Sequence, residues 1–134
     1  VMREATATGK IILKQKTVDL IKNKEILKGD PIYAAKLAAI LAAKKTSDII
    51  PLCHPLPLTK VFIEITIPDK NSVQVTSTVK TKAQTGVEME ALTATSIGLL
   101  TIWDMVKQYE KDPAGQYPST KIDNLKVARK YKQA

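Results

Sequence analysis

The chain has one cysteine, one histidine, one tryptophan and one phenylalanine in 134 residues. A single cysteine excludes an intrachain disulfide framework and a multi-cysteine zinc site, and it suits a reducing compartment. Aromatic residues make up only 4% of the chain, so the core has to be built from Ile, Leu, Val and Ala. Phe62, Trp103 and the four tyrosines are scattered and offer no stacking platform for single-stranded nucleic acid. No apolar run approaches the ~20 residues of a membrane helix, and the N-terminus shows no signal-peptide core. A cytoplasmic location without a membrane partner is expected. The sequence contains no GxGxxG, Walker A, HExxH, GxSxG or paired CxxC word, which removes the ready-made nucleotide, zinc-protease and serine-hydrolase readings. QTGVE (84–88) has a single Gly and is only a weak phosphate-loop candidate.

What the chain does have is an ordinary hydrophobic share of 44% and a formal charge of +8. The length fits one domain, residues 1–134. The charge suits a solvated Lys-rich surface, a nucleic-acid interface or a polyanionic small molecule such as a triphosphate, and does not choose between them.

Residues 5–14 (ATATGKIILK) predict a first strand. Thr17 and Asp19 open a short helix ending near Lys28-Gly29. Asp30-Pro31 opens a second helix through IYAAKLAAILAAKKT, with Asp as N-cap and Pro at the first helical position. Residues 47–60 hold three prolines within seven positions, Pro51 to Pro57, which forbids regular helix or a central strand. Residues 60–68 and 72–80 alternate about a turn at Asp69-Lys70-Asn71 and predict an antiparallel hairpin. A long helix follows to about Lys111, then a loop over 112–120, a strand over 122–128 and a basic tail. Without the short extra helix the order is βαββαβ. That is an α+β, ferredoxin-like, split-βαβ arrangement: one antiparallel sheet with helices on one face.

The long helix is apolar almost all round. Met89, Leu92, Leu99, Leu100, Trp103 and Val106 cover one side; Val87, Ala91, Ala94, Ile102 and Met105 cover another. Such a helix must be buried on more than one side. Glu90, Thr93, Thr101, Asp104 and Gln108 share a narrow polar sector of roughly 80°. Those groups are structural hydrogen-bonders or the wall of a site.

Three constellations carry chemistry. In PLCHP (51–55) two prolines stiffen the presentation of Cys53 and His54; a packed thiol and a backbone-bonded imidazole is the plainer reading. One Cys beside one His lacks the further ligands of a metal site. Asp104 and Lys107, three residues apart, are either an ordinary surface pair or an acid and base in a partly dry cleft, because Ile97 and Leu100 flank Asp104 on the wheel. Glu88 and Glu90, two residues apart, point to different sides of a helix; either suits the first turn. Lys28 and Lys44-Lys45 stand near element ends, where helix-terminus electrostatics suffices for the lysine pair.

PLCHPLPLTKV and TGVEMEALTATSIGLLTIWDM resemble, nearly word for word, the cyclic pyranopterin monophosphate synthase family, the accessory protein C of molybdenum cofactor biosynthesis. KGDPIYAAKLAAILAAKKTSDIIPLCHP extends the resemblance backwards, and it covers roughly residues 3–130. It implies conversion of 3′,8-cyclo-7,8-dihydroguanosine 5′-triphosphate to cyclic pyranopterin monophosphate with loss of pyrophosphate. It implies a small-molecule substrate and a homohexamer built as a trimer of dimers, with active sites at dimer interfaces. It implies no certain cofactor; Mg²⁺ could accompany the triphosphate. By position, the resemblance implies Asp104, Lys107, Lys28 and His54 as catalytic, and Arg3, Lys44, Cys53, Glu88, Glu90 and Lys130 as substrate-binding, with Lys126 or Arg129 as alternatives to Lys130. Trp103 stands where the family often has Tyr. Two other classes compete with this enzyme: a basic nucleic-acid-binding ferredoxin-like module, and a catalytically silent assembly protein. The first would need aromatics on adjacent sheet positions; the second would not explain the full set of polar words.

Overall fold

The structure, a computed structural model, describes residues 1–133. The elements run β1 (Met2–Ile12), α1 (Gln15–Lys22), α2 (Pro31–Lys44), a one-turn α3 (Thr46–Ile49), β2 (Leu58–Asp69), β3 (Ser72–Lys82), α4 (Glu88–Glu110) and β4 (Lys121–Lys132). All pairings are antiparallel and the strand order is β2-β3-β1-β4. This is the split-βαβ sheet, with α2 and α4 packed on one face.

Local chemistry sets most boundaries. The Asp30 carboxylate accepts the Ile32 and Tyr33 N–H groups at 3.0 and 3.3 Å, with Pro31 opening the helix. At the hairpin, Asp69 Oδ1 accepts from the Asn71 N–H and the Ser72 hydroxyl. Four boundaries differ from expectation. β1 starts at Met2 rather than 5, because its N-terminal half pairs with β3 and β4 as far as Lys82 and Lys132. α1 stops at Lys22 rather than near Lys28, since Lys24 takes a left-handed φ of 56°. Residues 46–49 form a helical turn, where Thr46 Oγ1 bonds back to the Ala42 and Ala43 carbonyls. The basic "tail" is the end of β4, a sheet-edge strand whose lysines mask its alternation.

The core lies between sheet and helices. Ala5, Ala7, Ile11, Val73, Val75 and Val79 face Ala35, Ala39, Ala91, Ala94, Leu99 and Ile102, all buried. Gly98 lets α2 cross α4 closely: a Cβ there would lie 3.3 Å from Val75 Cγ1 and 3.6 Å from Ala39 Cβ. Thr95, buried in α4, bonds to Ser77 Oγ at 2.9 Å and to the Ala91 carbonyl. At the end of α4, Glu110 is fully buried and takes its hydrogen bonds from the Lys14 N–H, the Thr17 hydroxyl at 2.5 Å and the Thr120 hydroxyl at 2.6 Å. One carboxylate thus ties together the start of α1, the end of α4 and the loop before β4.

The two outer surfaces differ. The free face of the sheet is polar, with Thr6 bonded to Thr78 and Thr8 to Thr76 across β1 and β3. The two large aromatics on it, Phe62 and Tyr131, lie on opposite edge strands. They cannot form the adjacent stacking pair that RNA recognition on such a sheet needs. The helical layer instead shows Tyr33, Leu37 and Leu41 of α2 and Met89 and Leu100 of α4, all exposed. One chain therefore buries α4 on one side only, and the all-round apolar helix keeps an uncovered stripe.

Candidate active site

Most of the residues singled out by sequence gather at the two ends of α4. At its N-terminal end a cleft of about 340 Å³ is lined by Ile50, Cys53, His54, Gly86, Glu88 and Glu90, among others. Glu88 and Glu90 both line it, contrary to the expectation from the helical wheel. The cleft spans the first turn and the loop leading into it, so it is not confined to one helix face. Glu88 reaches sideways to Lys130, with Nζ–Oε2 at 2.6 Å, and Glu90 turns inward. Lys130 lies opposite Ala5 on the helical side of the sheet, whereas Lys126 and Arg129 lie opposite Thr8 and Thr6 on the free face. Only the first of the three C-terminal candidates stands beside this cleft.

Arg3 lies in the same corner. Its guanidinium donates to the Ala83 and Gln84 carbonyls, so part of its donor fork holds the approach to α4. Glu90 is 3% exposed, and its Oε1 has no partner; Oε2 takes a weak hydrogen bond from the Cys53 thiol at 3.7 Å. Burial, reinforced by the negative charge of Glu88, holds the Glu90 carboxyl above its ordinary value. Burial and then the Glu90 charge push the Cys53 thiol up as well. The opposite shift occurs two positions away: the Lys130 ammonium holds Glu88 below the usual carboxylate range. This end thus pairs a carboxyl held above its ordinary value with one held below it, beside an exposed imidazole.

The C-terminal half of α4 carries the second cluster. Asp104 Oδ1 is 3.1 Å from Lys107 Nζ and its Oδ2 is 3.5 Å from Lys28 Nζ, over an open depression lined by Leu100, Trp103, Asp104 and Lys107. Lys107's hydrogen bond, then the charge of Lys28, hold the Asp104 carboxyl below its ordinary range. The partly dry cleft expected around Asp104 is absent from the single chain: its side chain is 61% exposed. Leu100 beside it is also exposed, so the apolar neighbours on the wheel give no cover.

Glu90 and Asp104 stand fourteen residues apart on α4, about 21 Å along its axis. No side chain spans that gap, so one chain holds two separate clusters. Lys44 belongs to neither; it lines a third cleft with Lys60, Leu58 and Thr59. Nothing in the sequence points to Tyr109, whose hydroxyl meets the turn before Lys28, or to the buried Glu110. Both look like ordinary helix-end residues in QYEKD.

Fold and side chains together define an α+β protein of the ferredoxin-like type with two clusters of acids and cations along α4. The chain belongs to the MoaC family, whose sequence model matches residues 1–132. It is 58% identical over 132 residues to a probable cyclic pyranopterin monophosphate synthase of Sulfurisphaera tokodaii, covering 98% of this chain and 87% of that one. It is 53% identical over 131 residues to one of Pyrococcus furiosus (98% and 83%). A relative from Methanothermobacter thermautotrophicus, 52% identical over 132 residues (98% and 82%), is called a probable cyclic pyranopterin monophosphate synthase accessory protein.

Proposed function

We propose that the chain is a cyclic pyranopterin monophosphate synthase. It is a lyase of molybdenum cofactor biosynthesis that converts 3′,8-cyclo-7,8-dihydroguanosine 5′-triphosphate to cyclic pyranopterin monophosphate and pyrophosphate. The observation that carries this reading is the pair of clusters on α4, which hold acids of opposite tendency together with cations, within a chain similar over nearly its whole length to such synthases. The purine five-membered ring is opened and rebuilt, which needs groups that give and take protons. A ribose-derived hydroxyl then bonds to the α-phosphorus, the α–β phosphoanhydride bond breaks, and pyrophosphate leaves with its electrons. Asp104, ionised and held between two ammonium groups, serves as the proton acceptor. Lys107 and Lys28 offer protons and positive charge to the leaving phosphates. His54 and the buried Glu90 face the rebuilt base, while Arg3 and Lys130 add charge at the rim.

The complete site is composed by two copies, one giving the N-terminal end of α4 and the other the C-terminal end. A two-fold axis produces this arrangement: residue i of one copy meets residue j of its partner and j meets i. The exposed stripe of Tyr33, Leu37, Leu41 and Leu100 supplies apolar surface for the contact, and it would give Asp104 the dry cleft that one chain lacks. Three such dimers make the hexamer. Any Mg²⁺ arrives with the triphosphate as part of the substrate.

The test is an assay with the cyclic nucleotide as substrate, with and without Mg²⁺, reading pterin fluorescence after oxidation of the product. Appearance of pterin with equimolar pyrophosphate supports the synthase. Turnover at the level of buffer, from protein shown to be folded and oligomeric, refutes it.

A further inference from the structure

The turn that carries Lys28 is held by a group no catalytic role accounts for. Between α1 and α2 the chain makes a reverse turn at Ile26–Gly29, closed by the Gly29 N–H on the Ile26 carbonyl at 3.1 Å. Ile26 is buried and anchors one end of it; Leu27 is 81% exposed, so its side chain anchors nothing. The Leu27 N–H donates instead to Tyr109 Oη at 2.9 Å. Gly29, at φ +125°, keeps the backbone close over Met105, whose Cε lies 3.8 Å from where a Cβ would be. An L-residue would be strained at that φ. Lys28 Nζ then donates to the Asp104 carbonyl at 3.2 Å and reaches Asp104 Oδ2 at 3.5 Å. The turn thus rides on the last two turns of α4 at three points, and Tyr109 is the only one that fixes the backbone through a side-chain hydrogen bond.

We propose that Tyr109 is a positioning residue: by accepting the Leu27 N–H, its hydroxyl fixes the Ile26–Gly29 turn so that the Lys28 ammonium is held against Asp104. A long lysine side chain on a loose turn would spend its time in many rotamers and meet Asp104 only in some of them. Pinning the turn cuts that freedom before substrate arrives. The ring of Tyr109 packs on the core from the partly buried side, so Tyr109→Phe keeps the packing and removes the acceptor alone. The freed Leu27 N–H can bond to water, which keeps the effect on folding small.

This inference rests on the reading of Lys28, Asp104 and Lys107 as the proton-transfer cluster, so its test needs one readout that depends on that reading and one that does not. The first is turnover in wild type, Tyr109→Phe, Lys28→Ala and the double variant, with a melting curve for each. Tyr109→Phe lowers kcat roughly 3- to 10-fold, the effect of one lost hydrogen bond, and adds nothing in the Lys28→Ala background. The second is the carboxyl ¹³C titration of Asp104. The charged groups facing it among the described residues are Lys107 from α4 and Lys28 from the turn. With Lys28 loosened and Lys107 in place, Asp104 titrates at higher pH in Tyr109→Phe, part of the way to its position in Lys28→Ala. An Asp104 titration identical to wild type overturns the proposal, as does an equal loss of kcat in both backgrounds. Wild-type turnover in Lys28→Ala sinks the catalytic reading instead, and the titration alone then decides for or against Tyr109.

Discussion

Two carboxyl groups toward opposite ends of α4, Glu90 and Asp104, are handled in opposite ways. At the N-terminal end Glu90 is enclosed, has an oxygen without a partner, and holds its proton to higher pH than usual. At the C-terminal end Asp104 is open to water, has an ammonium on each side, and gives its proton up at lower pH. Burial governs the first and charge the second. Two carboxyl groups whose environments push them apart are suited to the roles of acid and base. One continuous helix sets both environments and keeps them about 21 Å apart; the proposed site joins them across two copies of the chain.

The comparison is broken most directly at Asp104. Asp104→Asn keeps shape and removes the proton acceptor; kcat should fall by roughly 10²–10⁴-fold. Because the side chain is exposed, the melting temperature should hardly move. Single-turnover kinetics beside a melting curve separates this from a structural role, and near-wild-type kcat would sink the assignment.

Glu110 sharpens the contrast, because the wet end of α4 is anchored by the most enclosed carboxylate at either end of the helix. Glu110→Ala leaves the Lys14 N–H and the Thr17 and Thr120 hydroxyls facing a void. It should cost roughly 3 kcal/mol of stability, read as a lowered urea midpoint. A loss below about 0.5 kcal/mol would mean that the tie between α1, α4 and β4 is dispensable.

Glu90 tests the dry end through pH. Its folded-state value is raised, so its contribution to stability is present below the unfolded value and is lost as pH rises through the folded one. Glu90→Gln removes that dependence. Relative to wild type, the variant should melt higher at about pH 8 than at about pH 4, while its turnover drops. The reverse ordering of melting temperatures would show that folding lowers the Glu90 value instead of raising it. The smallest effect belongs to Glu88 and Lys130, a partly exposed pair worth under about 1 kcal/mol. Glu88's depressed value makes its contribution present above the unfolded value and lost as pH falls through the folded one. Glu88→Gln should therefore flatten the acid limb of the stability curve slightly, and added salt should shrink the difference between the two proteins.

Much of this is legible in the sequence. The Asp30-Pro31 cap, the Asp69 hairpin turn and the long run from Glu88 each announce an element through local chemistry, and their order suffices for the split-βαβ sheet. The grouping of Cys53, His54, Glu88 and Glu90 was legible only through resemblance to a family. A helical wheel assigns residues to faces, but this cleft spans the first turn and its entry loop, so the wheel separated two carboxylates that share it. The same wheel surrounded Asp104 with Ile97 and Leu100 without showing that Leu100 faces outward. The strand at 121–132 was half hidden, because an edge strand carries lysines where a central one would carry valines. Glu110 and Tyr109 left no trace, since a buried carboxylate without a cation and a phenol bonded to a backbone amide depend mainly on partners 82 to 96 residues away.

The division of the site between two copies is tested by mixing two inactive proteins. His54→Ala damages one end of α4 and Asp104→Asn the other. In a dimer with one of each, one of the two sites across the interface collects both damaged ends and the other collects two intact ones. Dissociating the two variants, mixing them in equal amounts and letting them reassemble should restore activity to about one quarter of wild type, as random pairing under two-fold symmetry requires. If the mixture, with exchange of subunits verified by mass, stays as inactive as its components, each chain contains its own site and the division between copies is wrong.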